Sequence, residues 1–210
     1  GSIVYPPHAP NNHVAFFLIE TRGCILMSVN GTIGTITIAI EEGLIKPKTP
    51  GIVRMEAPAG LVNVEYRTIG SQESGVRSQE RLKVSTVKLT NVPSFLHFTE
   101  LTSDCPELGE LVFDVAYGGN FYAIVDVQKN FKGLEHYTAD KLIAWARQLR
   151  KNINAKYEFI HPEDATIHGC SHILWTGAVL DKTSTARNAV FYGDKAIDRS
   201  PCVTGTSARM

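Results

Sequence analysis

Three features predict an α+β fold. Short runs of alternating apolar and polar residues recur along the whole chain, two longer segments carry helical signals, and both kinds lie on either side of a break near residue 92. Val14 to Glu20 holds the run Phe16, Phe17, Leu18 and Ile19 and reads as a buried strand, and Cys24 to Met27 reads as a shorter one ending at Ser28. Thr32 to Ile40 satisfies two patterns. Its β-branched residues and the alternation of Ile36, Ile38 and Ile40 favour a strand. Ile33, Ile36 and Ile40 also share a helical face, and Glu41-Glu42-Gly43 looks like a helix end with a glycine stop. These residues alone leave both open.

Ile52 to Glu56 is a strand candidate, followed by a turn at Pro58-Ala59-Gly60. In Leu61 to Thr68, Val62, Val64 and Tyr66 alternate with Asn63, Glu65 and Arg67, as in a strand with one wet face. Ile69 to Glu80 is polar and reads as an exposed hairpin loop, and Lys83 to Leu89 is another alternating strand. Asn91-Val92-Pro93-Ser94 is a break, which gives domains at 1–92 and 93–210. The second half opens with strands near Phe95–Thr99 and Glu110–Val115. Ala116 to Asn120 then turns into a strand at Phe121–Asp126. Thr138 to Asn154 is the clearest helix, with Thr138 as N-cap, Asp140 in the first turn, basic residues late, and Leu142, Ala146, Leu149 and Ile153 as its buried stripe. Further strands are expected near Tyr157–Ile160, His172–Thr176 and Ala186–Phe191.

Hydrophobic residues make up 43% of the 210, enough for a substantial core. Lys plus Arg and Asp plus Glu number 21 each, and a formal charge of zero argues against nucleic-acid binding and polybasic membrane attachment. No apolar run approaches a membrane span, and Gly1 to Pro7 lacks the regions of a signal peptide. Cys24, Cys105, Cys170 and Cys202 show no Cys-x-x-Cys spacing. An even count admits two disulfides, but without a secretion signal free thiols and a cytoplasmic location are expected. The spacing of His161, His168 and His172 matches no metal site, so none is expected. Glu20, Asp104 and Asp164 read as solvated or capping acids. Asn30-Gly31-Thr32 fits the glycosylation pattern, which matters only in a secreted protein.

Two five-residue stretches repeat each other, Ser28-Val29-Asn30-Gly31-Thr32 and Cys202-Val203-Thr204-Gly205-Thr206, with three positions identical. Each opens with a side chain that can carry a proton. One reading is a pair of unrelated Gly-Thr turns. The other is two half-sites built alike, an arrangement suited to removing a proton from one face of a carbon and returning one to the other. Around the second copy, Pro201 stiffens the approach, and Gly205 allows close packing or an unusual φ. A Cys at a helix N-terminus would have a lowered pKa, and the free N–H groups there would bind a carboxylate; a buried structural Cys is the alternative. Ser28 is a much weaker acid than a thiol and would need a cradle or a strongly basic carbanion.

Ser28 to Ile45, Glu56 to Glu65, Asn91 to Phe95, Asp114 to Phe121 and above all Asp198-Arg199-Ser200-Pro201-Cys202-Val203-Thr204-Gly205-Thr206 resemble the proline racemase family, which includes 4-hydroxyproline 2-epimerases and trans-3-hydroxyproline dehydratases. The resemblance implies a two-lobed fold like that of diaminopimelate epimerase, each lobe a sheet or barrel wrapped around a central helix; on that ground 32–40 is taken as a helix. The N-terminal lobe would carry Ser28 and the C-terminal lobe Cys202, with the substrate between them. It implies cofactor-free chemistry on a small molecule, with Ser28 and Cys202 as the two bases. Val29, Asn30, Val203 and Thr204 would hold the carboxylate through backbone N–H groups, Asp198 the ring amine, Tyr192 would cover the ring, and His172 would line the pocket. Homodimers are common in similar proteins.

The chain departs from the family pattern in places. The usual Met-Cys-Gly-His is here Met27-Ser28-Val29-Asn30, and the usual Gly after the second Cys is Val203. Dehydratases typically keep the first Cys and replace the second by Thr, the reverse of this chain. The expected activity is therefore 4-hydroxyproline 2-epimerisation, with proline racemisation, hydroxyproline dehydration and non-catalytic amino-acid binding as alternatives. Family members extend past both ends of these 210 residues, so a fragment with an incomplete second lobe is expected.

Overall fold

A computed structural model describes residues 1–20, 23–71 and 81–210, which divide into two compact units, Gly1–Val92 and Pro93–Met210. The first holds β1 (Ser2–Tyr5), β2 (Val14–Glu20), β3 (Gly23–Ile25), α1 (Val29–Glu41), β4 (Ile52–Ala57), β5 (Gly60–Ser71) and β6 (Arg81–Thr90). Its strands run in the order β1-β2-β4-β5-β6, with β3 paired to β2. The β2–β4 pair is parallel, so the chain must cross over between them, and α1 lies in that crossover and packs on β6.

The 32–40 ambiguity resolves as helix. Thr32, Thr35, Ile36, Ala39 and Ile40 are buried at helical spacing. The hydroxyls of Thr32, Thr35 and Thr37 donate back to the carbonyls of Ser28, Gly31 and Ile33 at 2.7–2.8 Å, which satisfies them inside a helix their branching disfavours. At the far end Glu42 N–H reaches Ile38 O and Gly43 turns left-handed at φ 64°. Val53 and Met55 of β4 and Val62 and Val64 of β5 complete the buried face.

The second unit holds β7 (Phe95–Cys105), β8 (Gly109–Tyr117), β9 (Phe121–Val125), a short 3-10 turn (Leu134–His136), α2 (Ala139–Lys156), β10 (Cys170–Gly177), β11 (Arg187–Tyr192), β12 (Ala196–Ile197) and α3 (Val203–Arg209). Its sheet is ordered β12-β11-β10-β9-β8-β7 and is antiparallel except for β9–β10. That parallel pair is bridged by α2, capped by Thr138 Oγ1 and buried through Leu142, Trp145, Ala146, Leu149 and Ile153. Every residue of β9 is buried. On one sheet face Ala116, Tyr122, Ile124, Leu174 and Val190 form a floor for Cys202 and Ala208.

Several expectations are corrected. Tyr157–Ile160 is not a strand: α2 runs on to Lys156, Tyr157 caps it and donates its hydroxyl to Thr102 O, and only Ile160 makes a bridge, to His168. Ala116 and Tyr117 stay in β8, so the turn is confined to residues 118–120. Ile69 to Ser71 belong to β5, and the rest of the expected loop, 72–80, lies outside the described residues.

Candidate active site

The second copy of the repeated motif is built by a chain of local hydrogen bonds. After β12, Asp198 N–H donates to Val190 O at 2.8 Å, Asp198 Oδ1 accepts from Ser200 N–H at 2.8 Å, and Ser200 Oγ accepts from Cys202 N–H at 3.1 Å. These bonds and Pro201 hold Cys202 at φ 51°, ψ 76°, a left-handed conformation that costs a non-glycine residue about 1–3 kcal/mol. Cys202 is the N-cap of α3, and Val203 and Thr204 are the first helical residues, whose N–H groups have no acceptor within the helix.

Two glycines allow α3 to approach the sheet. A Cβ on Gly118 would overlap Thr204 O and come within 2.7 Å of Ala208 N. One on Gly205 would stand 3.1 Å from both Cys202 Sγ and Tyr122 Cε1. Of the two uses foreseen for Gly205, close packing is the one observed, since its backbone is helical.

Cys202 is only 7% exposed and packs against the sheet. Tyr122 Oη lies 3.6 Å from Cys202 Sγ and 2.6 Å from Thr204 Oγ1. Burial pushes the thiol up, against the expected lowering. Hydrogen bonds from Tyr122 and the Gly205 N–H favour thiolate, but they do not offset desolvation, and the Asp198 charge adds to the rise. No side-chain capping bond of ordinary geometry ties the sulfur to the helix.

His172 packs against Tyr122 with ring centroids 4.7 Å apart and planes tilted by 30°, and its Nδ1 is 2.7 Å from Ser171 Oγ. Burial and the nearby Arg150 charge lower its pKa to about 4, with Asp198 opposing, so at neutral pH the imidazole is uncharged. The residue as a whole is half-buried. Tyr192 follows Val190 by two residues on β11 and so shares its sheet face. His172, Tyr192, Asp198, Cys202, Val203 and Thr204 are thus gathered at one end of the second unit's sheet.

The first copy sits in the first unit. Ser28 is the N-cap of α1, extended at φ −145°, ψ 121°, and its Oγ accepts from Gly31 N–H at 3.3 Å. Val29 and Asn30 are the first two helical residues; Val29 is buried and Asn30 exposed. Behind them Thr32 Oγ1 contacts Met27 Sδ at 3.8 Å. Both copies therefore open a helix, but their cap residues differ in backbone conformation.

Sequence reading missed Tyr122, Ser200 and Gly118. The signal for Tyr122 was present: a phenol inside an otherwise apolar strand must find a polar partner. Ser200 and Gly118 carry no such mark, because their roles depend on chain segments brought together only by folding. Among the described residues, no group of three or more His, Cys, Asp or Glu could hold a metal ion, and no helix is long and apolar enough to cross a membrane.

A family model described as proline racemase matches residues 1–210. The chain is 60% identical over 210 residues to a 4-hydroxyproline 2-epimerase of Spirosoma linguale and 56% identical to one of Ancylobacter novellus, covering all of this chain and 60% of each relative. It thus spans 60% of the length of these curated relatives. Among solved structures it resembles a hydroxyproline epimerase from Agrobacterium vitis with bound trans-4-hydroxy-L-proline, at TM-score 0.80 and 27% identity over 99% of this chain and 57% of that one. A probable proline racemase from Agrobacterium radiobacter with bound carbonate gives TM-score 0.79 and 28% identity, covering 99% and 58%.

Proposed function

This chain belongs to the proline racemase family, and from that premise we propose that the protein is a cofactor-independent 4-hydroxyproline 2-epimerase. The observation that carries the substrate is the 60% identity along the whole chain to a 4-hydroxyproline 2-epimerase. What supports the chemistry is a proton-carrying side chain at the head of a helix in each unit.

In this reading Cys202, as thiolate, takes the α-proton from one face of the substrate. The C–H bond breaks, S–H forms, and the electron pair stays on the α-carbon, spread into the carboxylate. Ser28 then gives its hydroxyl proton to the other face, forming the new C–H bond with inverted configuration. The thiol returns its proton to solvent and the Ser28 alkoxide regains one. In the reverse direction the two exchange roles. Backbone N–H groups of Val29, Asn30, Val203 and Thr204 would hold the carboxylate and stabilise the charge that develops there. Asp198 would take the ring amine, Tyr192 would cover the ring, and neutral His172 would offer a hydrogen bond without adding charge.

The test is a panel of proline derivatives in heavy water with the full-length protein, followed by loss of the α-proton signal. Exchange and epimerisation of 4-hydroxyproline are expected, with Cys202→Ala slower by on the order of 10³-fold. Absence of exchange with every derivative would contradict the reading, and a ring-imine product would make the enzyme a dehydratase. Cytoplasmic residence and a homodimer belong to the same proposal. The four free thiols among the described residues support a reducing compartment, and sedimentation reads the dimer.

A further inference from the structure

We propose that Tyr122 is the positioning residue of the Cys202 half-site: its phenol, shared between Thr204 and the sulfur, fixes the thiol and stabilises its anion when the proton leaves. The consequence for turnover rests on the epimerase reading above, whereas the effect on the thiol stands without it.

Tyr122 is fully buried in a strand with no exposed residue. A phenol there must be hydrogen-bonded, and its nearest partners are Thr204 Oγ1 at 2.6 Å and Cys202 Sγ at 3.6 Å. Its ring packs against His172 at 4.7 Å, and it lies so near the α3 backbone that a Cβ on Gly205 would stand 3.1 Å from Cε1. The hydroxyl therefore has little freedom except to rotate between two acceptors.

With the thiol neutral, the phenol can donate to Thr204. When the sulfur becomes an anion it is the stronger acceptor, so the phenol turns to it and Thr204 donates to the phenol oxygen instead. Burial, with the Cys202 charge next, pushes the phenol's own pKa well up, so it remains a donor while the thiol titrates. Among the described residues the other groups bearing on this pair are few. Asp198, after β12, opposes the thiolate; His172 of β10 faces the phenol ring, and Asn120 of the β8–β9 turn donates toward the phenol oxygen.

The experiment is thiolate absorbance near 240 nm against pH on the full chain, with Cys202→Ala subtracted to isolate the one sulfur. Tyr122→Phe keeps the ring packed and removes only the hydroxyl. It is expected to move the midpoint upward and lower the thiolate-to-thiol ratio at fixed pH roughly tenfold. In the exchange assay kcat should fall with KM little changed. If Tyr122→Phe fails to fold, 3-fluorotyrosine in place of Tyr122, a stronger donor of nearly the same shape, decides the matter and should move the midpoint downward. A midpoint unchanged from the wild type overturns the assignment. A shifted midpoint in a protein that exchanges no α-hydrogen leaves Tyr122 in its role and defeats the epimerase reading alone.

Discussion

The two copies of the motif differ where their sequences are most alike. Ser28 is extended and spends an oxygen lone pair on Gly31 N–H, so it is held as a side-chain cap. Cys202 is left-handed, and its sulfur is buried between the first turn of its own helix and the sheet, against Tyr122. A cap that accepts from the backbone is suited to giving a proton. A buried sulfur, with donors converging on it and burial pushing its acidity down, is suited to holding one and parting with it only when the anion can be stabilised. The repeat therefore encodes a shared position, the head of a helix, and two different side-chain settings.

Substitution at Ser28 gives the largest expected break in that comparison. Ser28→Ala should lose epimerisation by on the order of 10³-fold, while Ser28→Cys should retain or raise it; complete loss in Ser28→Cys would mean that the cap, rather than the proton, is the part a thiol cannot replace. Next comes Gly118→Ala, which places a methyl against the α3 backbone at Thr204 and Ala208. It should lower stability by about 1–3 kcal/mol in urea titration and activity about 10²-fold through a displaced Cys202. Wild-type activity in that variant would show that the close approach of α3 to the β8–β9 turn does not set the site. The smallest difference is in folding. Ser28→Ala removes a capping bond and should cost about 1 kcal/mol; an unchanged urea midpoint in that variant would show that the bond to Gly31 N–H does not hold the head of α1.

Much of this was legible in the sequence, for identifiable reasons. The Thr138 cap and the stripe of α2 appear because a long amphipathic helix repeats its signal over several turns. The strand at Val14–Glu20 appears because its apolar run is bounded on both sides. Helix α1 was ambiguous because its isoleucines satisfy two periods at once; the Thr back-bonds that favour the helix become visible only in three dimensions. Tyr157–Ile160 has strand-like composition, but the preceding helix takes up part of it. In the site, helix heads follow from local motif, and both Ser28 and Cys202 stand there. The acidity of Cys202 was misjudged because a helix N-terminus is local, whereas the burial that outweighs it comes from β8 to β11, far along the chain.

The central claim is that two groups, one on each face, handle the α-proton. The isotope content of the first product formed in heavy water tests it most directly. Starting from one epimer of unlabelled 4-hydroxyproline, the account predicts a product epimer carrying deuterium at the α-carbon from the earliest time points, while the remaining substrate stays protiated. Early product that keeps the substrate's own protium would mean a single group carried the proton across, and would contradict it.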